Sequence, residues 1–572
     1  MSERNPYDPG GQDNNTHVRT LLAFVIMGGV LFLLPYFFKG GRPQPPLPAA
    51  KVATPAALSK VPAPNSIANS NTAQADQVST PELVAAHDEQ HIAIDTAVYH
   101  IVFSNRGGVV TSWTLKKYPN AAGKPLEVVN DAAAQKLGSY PFAFYFRSQK
   151  PAVDLNQSLY AFTRTAGDLG ISFDYASNGV VAHKSFTFQP SGYLTEVASE
   201  VRVNGADIPS LLEWRGGFGD YAVQNAVSSQ RAIRYNVADS KLNNDSAKAA
   251  KDGPANRDGQ FSFVGLEDQY FAAVFLPQGQ DKIQTTLFDD YVPTPFDKSD
   301  QQYIGDAVGG DGQNRLELFV GPKDLELLKK VNPKLEQIVD FGFWWFLAKP
   351  LFLALRFLDQ KYIHNYGWAI ILITIIINIV LLPLRLQNMR SMNKMKVLQP
   401  KVQEINERYK GLSLRDPRMQ QKNQETMDLY KQHGANPAGG CVPLLIQMPF
   451  LLAFYKVLAV SIEMRNANWL WVTDLSQPEH LAIHLLPIIM ISTSFMMQRM
   501  TPTTGMDPQQ ARMMMFMPLI MGFFFYNQSA GLVLYWLTGN LMGIAQQYFF
   551  NKFFPAPVPP PAKVVAKKPV RR

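Results

Sequence analysis

Five side chains in the polar first half of the chain are of the kinds that move protons: Glu213, Glu267 and Asp268, with His100 or His183. A carboxylate and an imidazole within hydrogen-bond reach of a substrate can act as general acid and base. These five are scattered without motif spacing, as in any polar domain of this size, and give no grounds for an enzyme. The chain contains no GxxxxGKS/T loop and no HExxH pair, so neither a phosphate cradle nor a helix-borne zinc site is encoded. Cys441 is the single cysteine, which excludes an internal disulfide and a cysteine-based metal centre. Between Gly440 and Val442 it reads as a small packing residue. No cofactor is implied. The most conspicuous group is a cation, Lys456, inside the apolar run Val442 to Ile462. A charge at bilayer depth costs at least about 2.5–3.5 kcal/mol, so it faces water or a partner, or its stem snorkels to the interface.

The elements that hold such groups belong to two solvents. The 572 residues are 46% apolar, an average that hides a polar, mixed segment from about 43 to 330 and a Phe-, Trp-, Met- and Leu-rich one from 335 to 554. A bilayer core of about 30 Å needs about 20 helical residues. Six runs qualify as spans: Leu21 to Phe38, Trp368 to Leu384, Val442 to Ile462, Leu481 to Met497, Met513 to Tyr526 and Ala530 to Phe550. The fifth is short, roughly 21 Å if helical, and a short span thins the bilayer around it. The first reads as an uncleaved anchor, because residues 1–20 precede it and no small-x-small site follows closely. Eleven Lys and Arg lie between Arg385 and Lys431, against Arg465 alone in the next loop. The basic loop is therefore placed in the cytoplasm, with residues 1–20 and the tail 555–572, and the long polar segment in the periplasm. A net charge of +8, crowded into one loop and the tail, suits a membrane surface or an RNA-bearing partner rather than a DNA-reading fold.

Within the periplasmic segment, residues 43–85 are a Pro-, Ala- and Ser-rich linker without periodicity. Two-residue alternation then predicts strands at His100 to Phe103, Val109 to Leu115, Ser185 to Phe188, Leu194 to Val203, Tyr270 to Leu276 and Arg315 to Val320, hence an all-β sandwich over 90–330. A short helix is expected at Lys323 to Lys330. Residues 334–360, mixing Leu335, Ile338, Phe343, Trp344 and Trp345 with charges, predict an interfacial helix on the periplasmic side, with a core helix of the sandwich as the alternative. In the basic loop, Met395, Leu398, Val402, Ile405 and Tyr409 form a helical stripe. Asp416-Pro417 opens a second helix that closes at Gly434, so 389–434 is an antiparallel hairpin over the membrane core. Methionines gather at the cytoplasmic ends, at Met389, Met392, Met496, Met497 and Met513 to Met515; flexible thioethers suit varied apolar partners.

An ordered series of motifs resembles the YidC/Oxa/Alb family of membrane protein insertases, in its Gram-negative form with a large periplasmic domain. The series comprises Ser104-Asn-Arg-Gly-Gly108, Gly321-Pro-Lys-Asp324, Leu398-Gln-Pro400 and Asn436-Pro-Ala-Gly-Gly-Cys-Val-Pro-Leu-Leu-Ile-Gln-Met-Pro449. It continues with Met500-Thr-Pro-Thr-Thr504, Asp507-Pro508 and Ser529-Ala-Gly-Leu-Val-Leu-Tyr-Trp536 with Asn540. The resemblance implies an α-helical polytopic inner-membrane protein whose core (368–550) forms a hydrophilic groove, working alone or beside the Sec translocon. It also implies nascent membrane proteins, membrane lipids and, through Lys563, Lys567, Lys568, Arg571 and Arg572, the ribosome as partners. The family's groove arginine aligns with Asn378, so the expected cation is absent there, while Lys456 stands where an aromatic is usual. Thr374, Asn378, Gln447, Lys456, Tyr535, Trp536 and Asn540 are the expected groove residues. Lys456 is the expected replacement cation and Arg385 its competitor. The rival reading is a polytopic secondary transporter with a periplasmic receptor domain, but transporters carry two related halves and no such repeat is visible.

Overall fold

The computed structural model describes residues 84–555, apart from 121, 166, 224–225, 280–281, 296–298, 413–415, 436–441 and 501–507. The expected first span, most of the linker, Cys441, Met500 to Thr504 beyond its first residue and the basic tail beyond residue 555 lie outside the described residues. The chain divides into two compact units, one carrying residues 46–340 and the other 341–459 with 463–572.

The first unit is built of antiparallel strands because its segments alternate. In Leu194–Val203, Thr195, Val197, Ser199 and Val201 are buried while Glu196, Glu200 and Arg202 take the other face, the signature of a sheet wetted on one side. A ten-stranded sheet runs in the order Lys241–Asp245, Arg231–Asn236, Phe261–Glu267, Phe271–Pro277, Asn314–Pro322, Leu194–Val203, Val180–Phe188, Gly170–Ser177 and Ala161–Arg164, with Ala206–Asp207 paired to Leu194–Val203. A five-stranded sheet (Ala255–Gly259, Ile283–Pro293, Asp300–Gly310, Ser210–Trp214, Ala143–Tyr145) and a four-stranded one (His91–Asp95, Tyr99–Ser104, Val109–Pro119, Pro125–Glu127) complete it. Trp113, Phe142, Phe186 and Trp214 meet at ring separations of 5.1–6.2 Å in the core. Helix α1 (Leu325–Val331) starts where Asp324 accepts the amides of Glu326 and Leu327 at 3.0 and 2.8 Å, a side-chain N-cap.

One buried cation ties the three sheets together. Lys184, fully buried on Val180–Phe188, donates to the carbonyls of Gly107 and Phe142 at 2.7 and 2.6 Å and more weakly to Gly108 at 3.4 Å. All three acceptor residues have positive φ, 74°, 71° and 54° in that order, so the chain is bent to aim carbonyls inward. That accounts for Gly107-Gly108, since a Cβ on Gly107 would lie 2.6 Å from the Asn156 carbonyl oxygen. Burial pulls the Lys184 ammonium down to about 7, opposed by the charge of Glu213.

Two buried carboxyl groups give this unit a pH dependence. Burial raises Asp306 to about 7, against the Thr285 hydroxyl it accepts and the charges of Arg234 and Arg147, and raises Asp268 to about 6. Unfolded, both return to about 4. The folded state therefore holds protons that the unfolded chain releases between these values; the added stability is full below about pH 4 and lost as pH rises through 6–7. The first unit is expected to melt at higher temperature at pH 5 than at pH 8. Asp306→Asn should flatten the trend, which thermal unfolding at the two pH values checks.

In the second unit the predicted interfacial helix begins later than expected. Leu335–Ile338 is a single 3-10 turn with Leu335 and Ile338 buried in the first unit, and α2 runs only from Trp345 to Leu358. Gly342, at φ 69°, breaks the segment. The apolar stretch thus serves two surroundings: its first half is core, and its second half exposes Phe343, Trp345, Phe346 and Phe357.

Helix α3 (Tyr366–Val380) is capped by Asn365, whose side chain accepts from the Trp368 amide at 3.2 Å. There follow α4 (Leu382–Arg408), α5 (Arg418–Gln432), α6 (Val442–Val460), α7 (Leu485–Met500), α8 (Pro508–Tyr526) and α9 (Ala530–Phe553). Among the described residues no single helix is long and apolar enough by itself to cross a membrane. Trp345–Ile363 with Tyr366–Val380, bent by 118°, qualifies as a pair. The spans expected from hydropathy match α3, α6, α7, α8 and α9 to within a few residues, except that α8 has 19 residues, roughly 28 Å. Its helix starts ahead of Met513 with Gln509, Gln510 and Arg512, while its apolar part, Met515–Tyr526, stays short of a bilayer core. α4 and α5 pack together through Leu398 and Val402 on Tyr430 and Ala435.

Candidate functional site

Arg385 owes its position to a break. α3 stops at Val380, and α4 restarts with Pro383 in its first turn, where the missing N–H costs no hydrogen bond. Arg385 on that first turn donates through Nη1 to Gln546 Oε1 at 2.9 Å and through Nη2 to Gln447 Oε1 at 3.1 Å. Gln546 Nε2 returns a bond to the Asn378 carbonyl at 3.3 Å. One guanidinium thus links α4 to α9 and α6, and through Gln546 to α3.

α9 faces this cluster with a stripe at helical spacing, Tyr535, Gly539, Gly543 and Gln546. The glycines leave the room: a Cβ on Gly543 would lie 2.8 Å from Met497 Sδ and 3.6 Å from Arg385 Nη1, and one on Gly539 3.2 Å from Gln447 Nε2. Tyr535 stacks on Phe454 of α6 at 4.5 Å and 17°, and its hydroxyl reaches Gln447. Both partners of Arg385 are neutral amides, and among the described residues no carboxylate pairs with it. Its charge is held in place by charge-assisted bonds and, among the described residues, has no counter-ion.

The other expected groove residues divide. Thr374 and Asn378 are buried on α3; the Thr374 hydroxyl donates to the Ile370 carbonyl at 2.6 Å and Asn378 Nδ2 to the Thr374 carbonyl at 2.7 Å, leaving Asn378 Oδ1 buried without a donor. Asn540 turns to α7 instead, where its Nδ2 meets Ser494 Oγ at 2.7 Å and Thr493 Oγ1 at 3.2 Å. Trp536 packs on Phe525 of α8. Lys456 makes no hydrogen bond to Asn378 among the described residues and lies at another level. Its stem lies against Gly342, with Cε 3.0 Å from where a Cβ would stand. The depths explain why: Asn378 is twelve residues, about 18 Å, from the start of α3, whereas Lys456 is four residues, about 6 Å, from the end of α6. Gln447, about 20 Å from that end, is the residue of α6 that matches Asn378. Gln546 and the two glycines escaped the sequence reading, although their spacing on α9 was a usable signal.

The five acid-base candidates of the first unit are each engaged separately. Glu213 accepts from the Ser139 hydroxyl, Glu267 pairs with Lys323 at 3.0 Å, and Asp268 collects the amides of Asp220, Tyr270 and Phe271. His100 rests on Asp95 at 3.0 Å and His183 on Asp174 at 2.7 Å. These contacts are structural, and none joins one candidate to another.

The chain is thus a β-sandwich unit followed by a helical unit whose polar centre is Arg385 held by two neutral amides. The comparisons make the class specific: residues 91–354 match the family profile described as YidC periplasmic domain, and residues 358–557 that of the 60Kd inner membrane protein. The chain is 35% identical to the membrane protein insertase YidC of Syntrophus aciditrophicus, covering 93% of this chain and 99% of that one. It is 34% identical to the insertase of the same name from Geotalea daltonii, over 94% and 99%. A solved structure titled as an active YidC insertase with its first transmembrane domain resolved is 20% identical, covers 82% of this chain and 94% of that one, and superposes with a TM-score of 0.36, too low to carry weight. The chain belongs to the YidC family of membrane protein insertases. The transporter reading finds no support.

Proposed function

We propose that this insertase receives the polar end of an incoming segment in the cleft around Arg385, with Gln447, Gln546, Tyr535 and the open acceptor of Asn378 as its polar wall. The observation that carries the reading is the guanidinium bonded, among the described residues, only to neutral amides. A fixed cation in a half-wet, low-dielectric cleft attracts acidic groups at the leading end of a client, and no nucleotide or covalent chemistry is needed. The excess of Lys and Arg from Arg385 to Lys431 supports an orientation with six spans, both termini and the α4–α5 hairpin in the cytoplasm, the hairpin serving as a cover. In that frame the cleft opens toward the cytoplasm and the sandwich lies in the periplasm. Ribosome contact through the tail and cooperation with the Sec translocon complete the reading. The protein acts without catalysis or cofactor.

The test is photo-crosslinking from a reactive side chain placed at Gln546 and, as control, at Phe523, which is 80% exposed on α8. A stalled client should crosslink from position 546 and weakly from 523. Equal yields, or crosslinks from 523 alone, would place the client's path outside the cleft.

A further inference from the structure

The displaced lysine has a role of its own. We propose that Lys456 binds the phosphate of a phospholipid in the periplasmic leaflet, fastening α6 and the start of the interfacial segment to the headgroup layer. Lys456 is the one charged residue between Val442 and Val460, and among the described residues it has no carboxylate partner. Its stem lies along Gly342, with Cε, Cδ and Cγ at 3.0, 3.4 and 3.5 Å from the position of a Cβ. Gly342 stands at φ 69°, a conformation natural to glycine, so the backbone there is open on the side the lysine crosses. Just beyond it, Phe343, Trp345 and Phe346 are 52%, 42% and 54% exposed. Aromatic side chains of this kind settle at the headgroup boundary. An ammonium that leaves an apolar helix at this depth meets the phosphodiester as its abundant anion, and a long stem is what lets it get there.

The inference rests on α6 being a membrane span with its Val460 end toward the periplasm, as proposed above. The full chain, purified in detergent and incubated with phosphatidylglycerol, would be analysed by native mass spectrometry for retained lipid. The wild type should retain one lipid more than Lys456→Gln, whose occupancy of that site falls by roughly fivefold. Lys456→Arg should keep it, and Gly342→Ala, whose new methyl displaces the stem, should lose it. Should Gly342→Ala fail to fold, the Lys456→Gln comparison still decides. Equal retention by wild type and Lys456→Gln overturns the proposal, as does displacement of the lipid by inorganic phosphate at equal concentration. Because lipid retention in detergent is blind to topology and to client insertion, a failure of the cleft reading leaves this result unaffected.

Discussion

Arg385→Ala is expected to lower insertion of a client with an acidic leading tail by about tenfold or more, leaving the fold intact. The guanidinium is partly buried among polar side chains rather than in apolar packing, so its loss empties no hydrophobic core. What disappears is a charge held by two bonds and aimed at the client. Hydrogen bonds to charged groups contribute about 1.5–3 kcal/mol, and each 1.4 kcal/mol is a factor of ten. Arg385→Lys should fall between, since a single ammonium cannot reach Gln546 and Gln447 together as the planar fork does. Lys456→Ala should insert the same client normally. Insertion rates in proteoliposomes, with thermal unfolding as the control for folding, check all three.

Lys184→Met is expected to have the largest effect on stability and a small one on insertion. The substitution leaves the carbonyls of Gly107, Phe142 and Gly108 pointing into a site with no donor. A buried acceptor left without its donor costs about 1–3 kcal/mol, so the two short bonds of Lys184 together contribute several kcal/mol. For a unit of this size that lowers the midpoint of thermal unfolding by about 10 °C. The loss is confined to the sandwich. If the helical unit performs insertion, a variant that melts early in its first unit should still insert clients at a temperature below that transition. An insertion defect as deep as that of Arg385→Ala at such a temperature would mean that the periplasmic unit takes part directly.

The sandwich was legible because its strands bury one face and wet the other: the alternation of Leu194–Val203 fixes its register and extent from side-chain type alone. Helix ends were harder. Gly342 divides one apolar stretch between two units, and no pattern in Leu335, Ile338 and Phe343 says which of them faces protein and which faces lipid. The same difficulty bears on the depth of the cations. Depth read from hydropathy assumes straight spans with known ends, whereas α3 ends at Val380 and a new helix starts at Leu382, with Arg385 within reach of Gln447. Lys456, seemingly deep, is one turn from the end of α6. Gln546 lies two turns from the end of α9, and by composition it resembles a residue at the bilayer surface. Only its alignment with Gly539 and Gly543 on one stripe marks it as part of the cleft.

The most direct test of the central claim, that the cleft recognises clients through the charge of Arg385, is a charge exchange in proteoliposomes. Wild type and Arg385→Glu would each be supplied with one single-span client carrying an acidic or a basic leading tail, and protease protection of the translocated tail would be measured. Wild type is expected to favour the acidic tail, and Arg385→Glu to lose that client and gain insertion of the basic one. If the exchange leaves the ratio of the two clients unchanged, the cation does not select what enters, and the cleft around Arg385 is a structural bridge between helices.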